Sequence, residues 1–160
     1  MKTIRILTLF ALMLVAGLVT LIVPLGPGAV LVSASSERNG KLHVTKNCLG
    51  YTGQAGSFCT ISSSNLPEIP VGSKVFYFQP LVPSTGLLDS NIVLDAGSGN
   101  RAVGRCTLDL ATNLALCTFS DGTGELSGFH ARVNGSGSFA EYHWDGTYSF
   151  ERQPGERDDE

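Results

Sequence analysis

Residues 106–150, CTLDLATNLALCTFSDGTGELSGFHARVNGSGSFAEYHWDGTYSF, decide the fold. Their last segment, 140–150, alternates strictly. Tyr142, Trp144, Tyr148 and Phe150 fall on one face, and Glu141, His143, Asp145 and Thr147 on the other. A period of two sustained over this length is the pattern of a strand with one buried face. Residues 128–134 repeat it, with Phe129, Ala131 and Val133 opposed to His130, Arg132 and Asn134. The glycine-bearing segments 121–124 and 135–138 read as turns. Residues 101–110 and 114–120 read as a hairpin. If Asn113 takes the left-handed position of a three-residue loop, Leu110 faces Leu114 and Leu108 faces Leu116, which gathers the four leucines on one face. The stretch is therefore read as four consecutive antiparallel strands.

Upstream the same logic gives four more. Residues 41–46 (KLHVTK) alternate weakly and form a short first strand. Residues 57–62 are a second. Residues 74–79 (KVFYFQ) are β-branched and aromatic and form a third. Residues 90–95 (SNIVLD) are a fourth. Between them, 63–72 carries Pro67 and Pro70 and cannot be a central strand, since proline donates nothing to a ladder. No helical period of useful length follows the leader. Short strands at close spacing, punctuated by glycine and proline, predict an all-β sandwich or closed barrel over residues 42–150.

The N-terminal segment is different in kind. Lys2 and Arg5 precede an uncharged apolar run from Ile6 to Val23, and Val32-Ser33-Ala34 offers small residues at a cleavage position. These are the three parts of a secretory signal, so 1–34 is read as a signal peptide and 35–41 as a linker. The alternative is an uncleaved N-terminal helix that anchors the protein, because such a run is long enough to span a bilayer. The charged tail, 151–160, is expected to be disordered.

Composition excludes some functions. A net charge of −3 leaves no basic footprint for nucleic acid. All four cysteines, Cys48, Cys59, Cys106 and Cys117, follow the leader, as expected for an oxidising, extracytoplasmic compartment. The equal spacings invite the pairs Cys48–Cys59 and Cys106–Cys117. The leucine register opposes the second pair, because it points the two thiols to opposite faces. A two-residue loop would set Cys106 opposite Cys117 but split the leucines. The sequential pairing is favoured. The cysteines lack metal spacing, His43 has no evident partner, and neither a metal nor a cofactor is expected. There is no nucleophile elbow and no phosphate-cradling glycine loop.

At SDGTGELSGFHARV (120–133) and EYHWDGTYSF (141–150) the chain resembles the allene oxide cyclase-like barrel proteins, which include the plant dirigent proteins and small secreted bacterial relatives. VGSKVFYF (71–78) and DSNIVLDAGSGNRAVGRCTLDL (89–110) are similar to earlier strands of that barrel, so the likeness covers residues 57–150. It implies an eight-stranded antiparallel barrel, an apolar cavity for a small hydrophobic or phenolic molecule, and a homotrimer. In the plant enzymes the cavity steers a ring closure or a radical coupling. No catalytic residue of theirs aligns here, so the alternative is a non-catalytic secreted binding or envelope protein.

Candidate residues follow from the two faces. His130, His143 and Asp145 are candidates for acid–base work, since histidine titrates near neutrality and a carboxylate can hold its tautomer. Tyr77, Phe129, Tyr142, Trp144 and Tyr148 are candidates for contact with an apolar ligand. Which set matters depends on which face turns inward. A cavity with one or two ionisable groups at its floor favours a small-molecule protein; an interior plugged by side chains opposes it.

Overall fold

The computed structural model describes residues 38–151. The leader, the first residues of the linker and the tail beyond Glu151 lie outside the described residues. The strands are β1 (Arg38–Asn47), β2 (Phe58–Ser64), β3 (Lys74–Tyr77), β4 (Leu87–Gly97), β5 (Asn100–Asp109), β6 (Leu114–Thr123), β7 (Phe129–Ser138) and β8 (Glu141–Phe150). A short 3-10 turn, Gly124–Leu126, joins β6 to β7. Each strand pairs antiparallel with the next, and β1 closes on β8, giving an eight-stranded antiparallel barrel without a free edge.

Alternation sets the interior. Leu42, Val44 and Lys46 of β1, Ile92 and Leu94 of β4, Phe119 of β6, Val133 of β7 and Trp144 of β8 are all buried. The aromatic face of β8 thus points inward, and its histidine face points to solvent. Some boundaries differ from the sequence reading. β1 begins at Arg38, so residues 38–41 belong to the sheet and not to a linker, with Arg38 opposite Phe150. The supposed turns at 121–124 and 135–138 are largely strand, because both neighbours extend far enough to pair with them.

Two glycine sites show what closure demands. The tight β4–β5 turn holds Gly97, Ser98 and Gly99 all at positive φ, a conformation glycine adopts freely. At Gly146 the neighbouring strand comes so close that a Cβ would lie 2.0 Å from the Arg132 carbonyl oxygen. Extra residues also bend the wall. Lys46 pairs with Ile61 while Thr45 pairs with Ser63, which leaves Ser62 as a bulge in β2.

The hairpin between β5 and β6 overturns the leucine register. Asp109 faces Leu114 and Cys106 faces Cys117 across a four-residue turn, 110–113, in which Asn113 does adopt positive φ (56°). The leucines are split: Leu108 packs against the core, while Leu110 and Leu114 are exposed. Both sequential disulfides form, with Cα separations of 4.2 Å for Cys48–Cys59 and 4.1 Å for Cys106–Cys117. Two such bridges suit an oxidising, extracytoplasmic setting. No helix among the described residues is long and apolar enough to cross a membrane.

Candidate functional site

The two ends of the barrel are built differently. At the end where β1 begins and β8 finishes, side chains fill the interior. Phe129 meets Phe119, Phe150 and Tyr148 with ring centroids 5.8, 5.2 and 6.5 Å apart. Leu66 and Ile69 from the β2–β3 loop and Leu126 from the 3-10 turn are buried at this end. Phe129 and Tyr148, expected as ligand contacts, are therefore core.

At the other end a cavity of about 300 Å³ remains. This volume lies at the lower limit of small-molecule sites, about 300–1,000 Å³. Trp144, Tyr77, Leu88 and the bridged Cys48, Cys59 and Cys106 line its buried part, with Tyr51, Tyr142, Leu108 and Ala115 around them. Tyr77, Tyr142 and Trp144 are the three sequence candidates found here. The mouth lies among four loops, 48–57, 78–86, 110–113 and 139–140, none of which carries a charged residue. Leu49, Val82, Leu110 and Phe139, one from each loop, are exposed there. They form an apolar collar.

Lys46 is the residue sequence reasoning missed. Its side chain lines the cavity, is only 4% exposed, and donates a 2.7 Å hydrogen bond from Nζ to the Tyr77 hydroxyl. The ammonium also lies 4.0 Å from the centroid of the Trp144 ring, within range of a cation–π attraction. It forms no ion pair among the described residues. Burial without a counter-charge disfavours the charged amine and pulls its pKa from 10.5 down to about 7. Burial likewise holds the Tyr77 hydroxyl well above the ordinary phenol range, with Tyr51 and Tyr142 adding to the effect. Tyr51 and Tyr142 are pushed up for the same first reason. The signal was present in the sequence: Leu42, Val44, Lys46 and Cys48 share one face, so a charge sits in the middle of an apolar stripe.

The histidine candidates sit outside the barrel and apart from one another. His43, not His143, meets Asp145, with Nδ1 2.7 Å from the carboxylate oxygen. His143 lies 3.2 Å from the Thr45 hydroxyl. His130 approaches Glu151 at 3.4 Å. None of these groups lines the cavity.

No family model, curated protein or solved structure matches this chain. The cavity must therefore be read from its own chemistry. It offers a desolvated amine hydrogen-bonded to a neutral phenol, in an otherwise apolar container. Among the described residues no cluster of three or more metal-ligating side chains occurs.

Proposed function

We propose that this chain is an exported small-molecule barrel of the allene oxide cyclase-like kind, whose cavity holds a small hydrophobic or phenolic compound. The observation that carries the reading is the open half of the barrel: a cavity of about 300 Å³ with Lys46 and Tyr77 in its buried part. The uncharged collar supports it, since an apolar ligand entering there passes no fixed charge before it reaches Lys46. Catalysis in such a container would come from confinement and orientation of a reactive ligand, favouring one ring closure or coupling.

A non-catalytic binding protein is the second reading. The observation favouring it is the position of the histidines, which leaves the Lys46–Tyr77 pair without an acid–base partner from His130 or His143. Either way the first test is binding. Trp144 is the only tryptophan and lines the cavity, so its fluorescence reports occupancy directly. Titration with alkyl and phenolic probes is expected to change that signal with saturation. A signal unmoved by every probe, in a protein that still unfolds cooperatively, would refute the cavity reading. Export is tested separately by intact mass, which for the secreted chain should correspond to a start at Ser35.

A further inference from the structure

Confinement alone leaves one reactive group in the cavity without a role. Lys46 lines the cavity and keeps 4% of its surface accessible. Its Nζ is held between two cavity-lining rings, 2.7 Å from the Tyr77 hydroxyl and 4.0 Å from the centroid of the Trp144 ring. No carboxylate lines the cavity to hold the amine as an ammonium, and Lys46 has no ion pair among the described residues. Cys48, Cys59 and Cys106 line the same space, but each is bridged, so no thiol competes. An amine without a counter-charge in an apolar pocket is the form of lysine that attacks a carbonyl carbon. Burial brings the Lys46 pKa to about 7, so about half of the side chain is neutral at neutral pH.

We propose, resting on the reading of the cavity as a ligand site, that Lys46 is a covalent capture site whose amine condenses with an apolar aldehyde to give an imine. The Lys46 nitrogen lone pair forms the C–N bond as the carbonyl π pair moves to oxygen. One N–H proton passes to that oxygen through the Tyr77 hydroxyl, giving a carbinolamine. The second N–H proton follows by the same route, the C–O bond breaks, and the oxygen departs as water while C=N forms. Amine and aldehyde thus become imine and water, with nothing oxidised or reduced. Tyr77 suits the relay because burial keeps its hydroxyl neutral, so it ends each transfer as it began. An aldehyde carbon bears one hydrogen in place of a second substituent, which lets it reach an amine this recessed. The apolar lining keeps water from the C=N bond and so disfavours hydrolysis. The titratable groups facing Lys46 are Tyr77 from β3, Tyr51 from the β1–β2 loop and Tyr142 from β8. All three hydroxyls are pushed upward and stay neutral near pH 7, so Lys46 alone sets the pH dependence of capture.

The test uses octanal, with octanol as its counterpart that cannot condense. The wild-type chain is incubated with octanal and then cyanoborohydride at about pH 7. The reduced adduct, heavier by the aldehyde less one oxygen, is assigned to individual residues by peptide mass. Lys41 and Lys74 are exposed and serve as controls within the same chain. Lys46 should be labelled at least about tenfold faster than either. Without reductant, Trp144 fluorescence at about pH 8 should show octanal binding at least about tenfold more tightly than octanol. Below about pH 7 that advantage should fall by up to about tenfold per pH unit, because an ammonium has no lone pair to attack with. In Lys46→Met the two compounds should bind alike. If Lys46 is labelled no faster than Lys41 and Lys74 while octanol still binds, the imine is overturned and the cavity reading stands. If neither compound binds and Lys46 takes no label, both are overturned.

Discussion

Lys46→Met exchanges an ammonium for an apolar side chain of similar length at a site that is 4% exposed. In the wild-type protein burial lowers the lysine pKa from 10.5 to about 7, so between those values the unfolded chain holds a proton that the folded chain lacks. Stability then rises with pH across this window: the contribution is fully present above 10.5, shrinks as pH falls toward about 7, and is absent below that. At about 1.4 kcal/mol per pH unit the whole effect is about 5 kcal/mol. This is an upper limit, because the Trp144 face stabilises the cation. Between about pH 9.5 and pH 6 the wild type should therefore lose about 3 kcal/mol more than the variant does. Loss of the partner of the Tyr77 hydroxyl lowers the variant by about 1–3 kcal/mol at every pH in the window and leaves the difference in slope untouched. Urea unfolding followed by Trp144 fluorescence, at half-unit pH steps with the disulfides intact, measures both curves. Two parallel curves would refute the reasoning, since they would mean that Lys46 titrates alike in the folded and unfolded chains.

Three other outcomes are expected. The double change Cys106→Ala with Cys117→Ala, which opens a loop of about a dozen residues, should cost about 3 kcal/mol in urea unfolding. Gly146→Ala should cost about 1–3 kcal/mol, because its Cβ meets the Arg132 carbonyl oxygen and the Val133 Cα of β7 and one wall must shift. The set His130→Ala, His143→Ala and Asp145→Asn should leave ligand affinity within about twofold of wild type, as expected for exposed side chains remote from the cavity. A larger loss in any of the three, measured by Trp144 titration, would restore that face as a candidate.

The barrel was legible because period-two alternation survives at single-sequence level wherever one face is dry. β8 shows it in Tyr142 and Trp144 against His143 and Asp145. Strand ends were less legible, and residues 135–138 show why. Gly135 reads as a turn former, yet it sits in β7, where the Ala115 side chain of β6 lies 2.8 Å from the place a Cβ would take. The leucine register failed for a related reason. Gathering apolar residues on one face assumes that they all seek the core, but Leu110 lies at the mouth and Leu114 is exposed, while the Cys106–Cys117 bridge fixes the pairing. Lys46 escaped notice because a lone lysine in a short, weakly alternating segment resembles a solvated edge. Its pairing with Tyr142 of β8 and Ile61 of β2, which puts it inside, is long-range information.

The seam between β1 and β8 has a practical corollary for handling the protein. Because Arg38 pairs with Phe150, and the Glu151 amide donates to the Gly128 carbonyl, the polypeptide enters and leaves the barrel side by side at the plugged end. A purification tag or bead linker fused directly at Arg38 or Glu151 would attach at the plugged end, opposite the end that carries Leu110 and Phe139. A barrel captured on a sensor chip through such a fusion would hold its mouth toward the flowing solution. Its single indole would then serve as a built-in optical gauge of whatever enters.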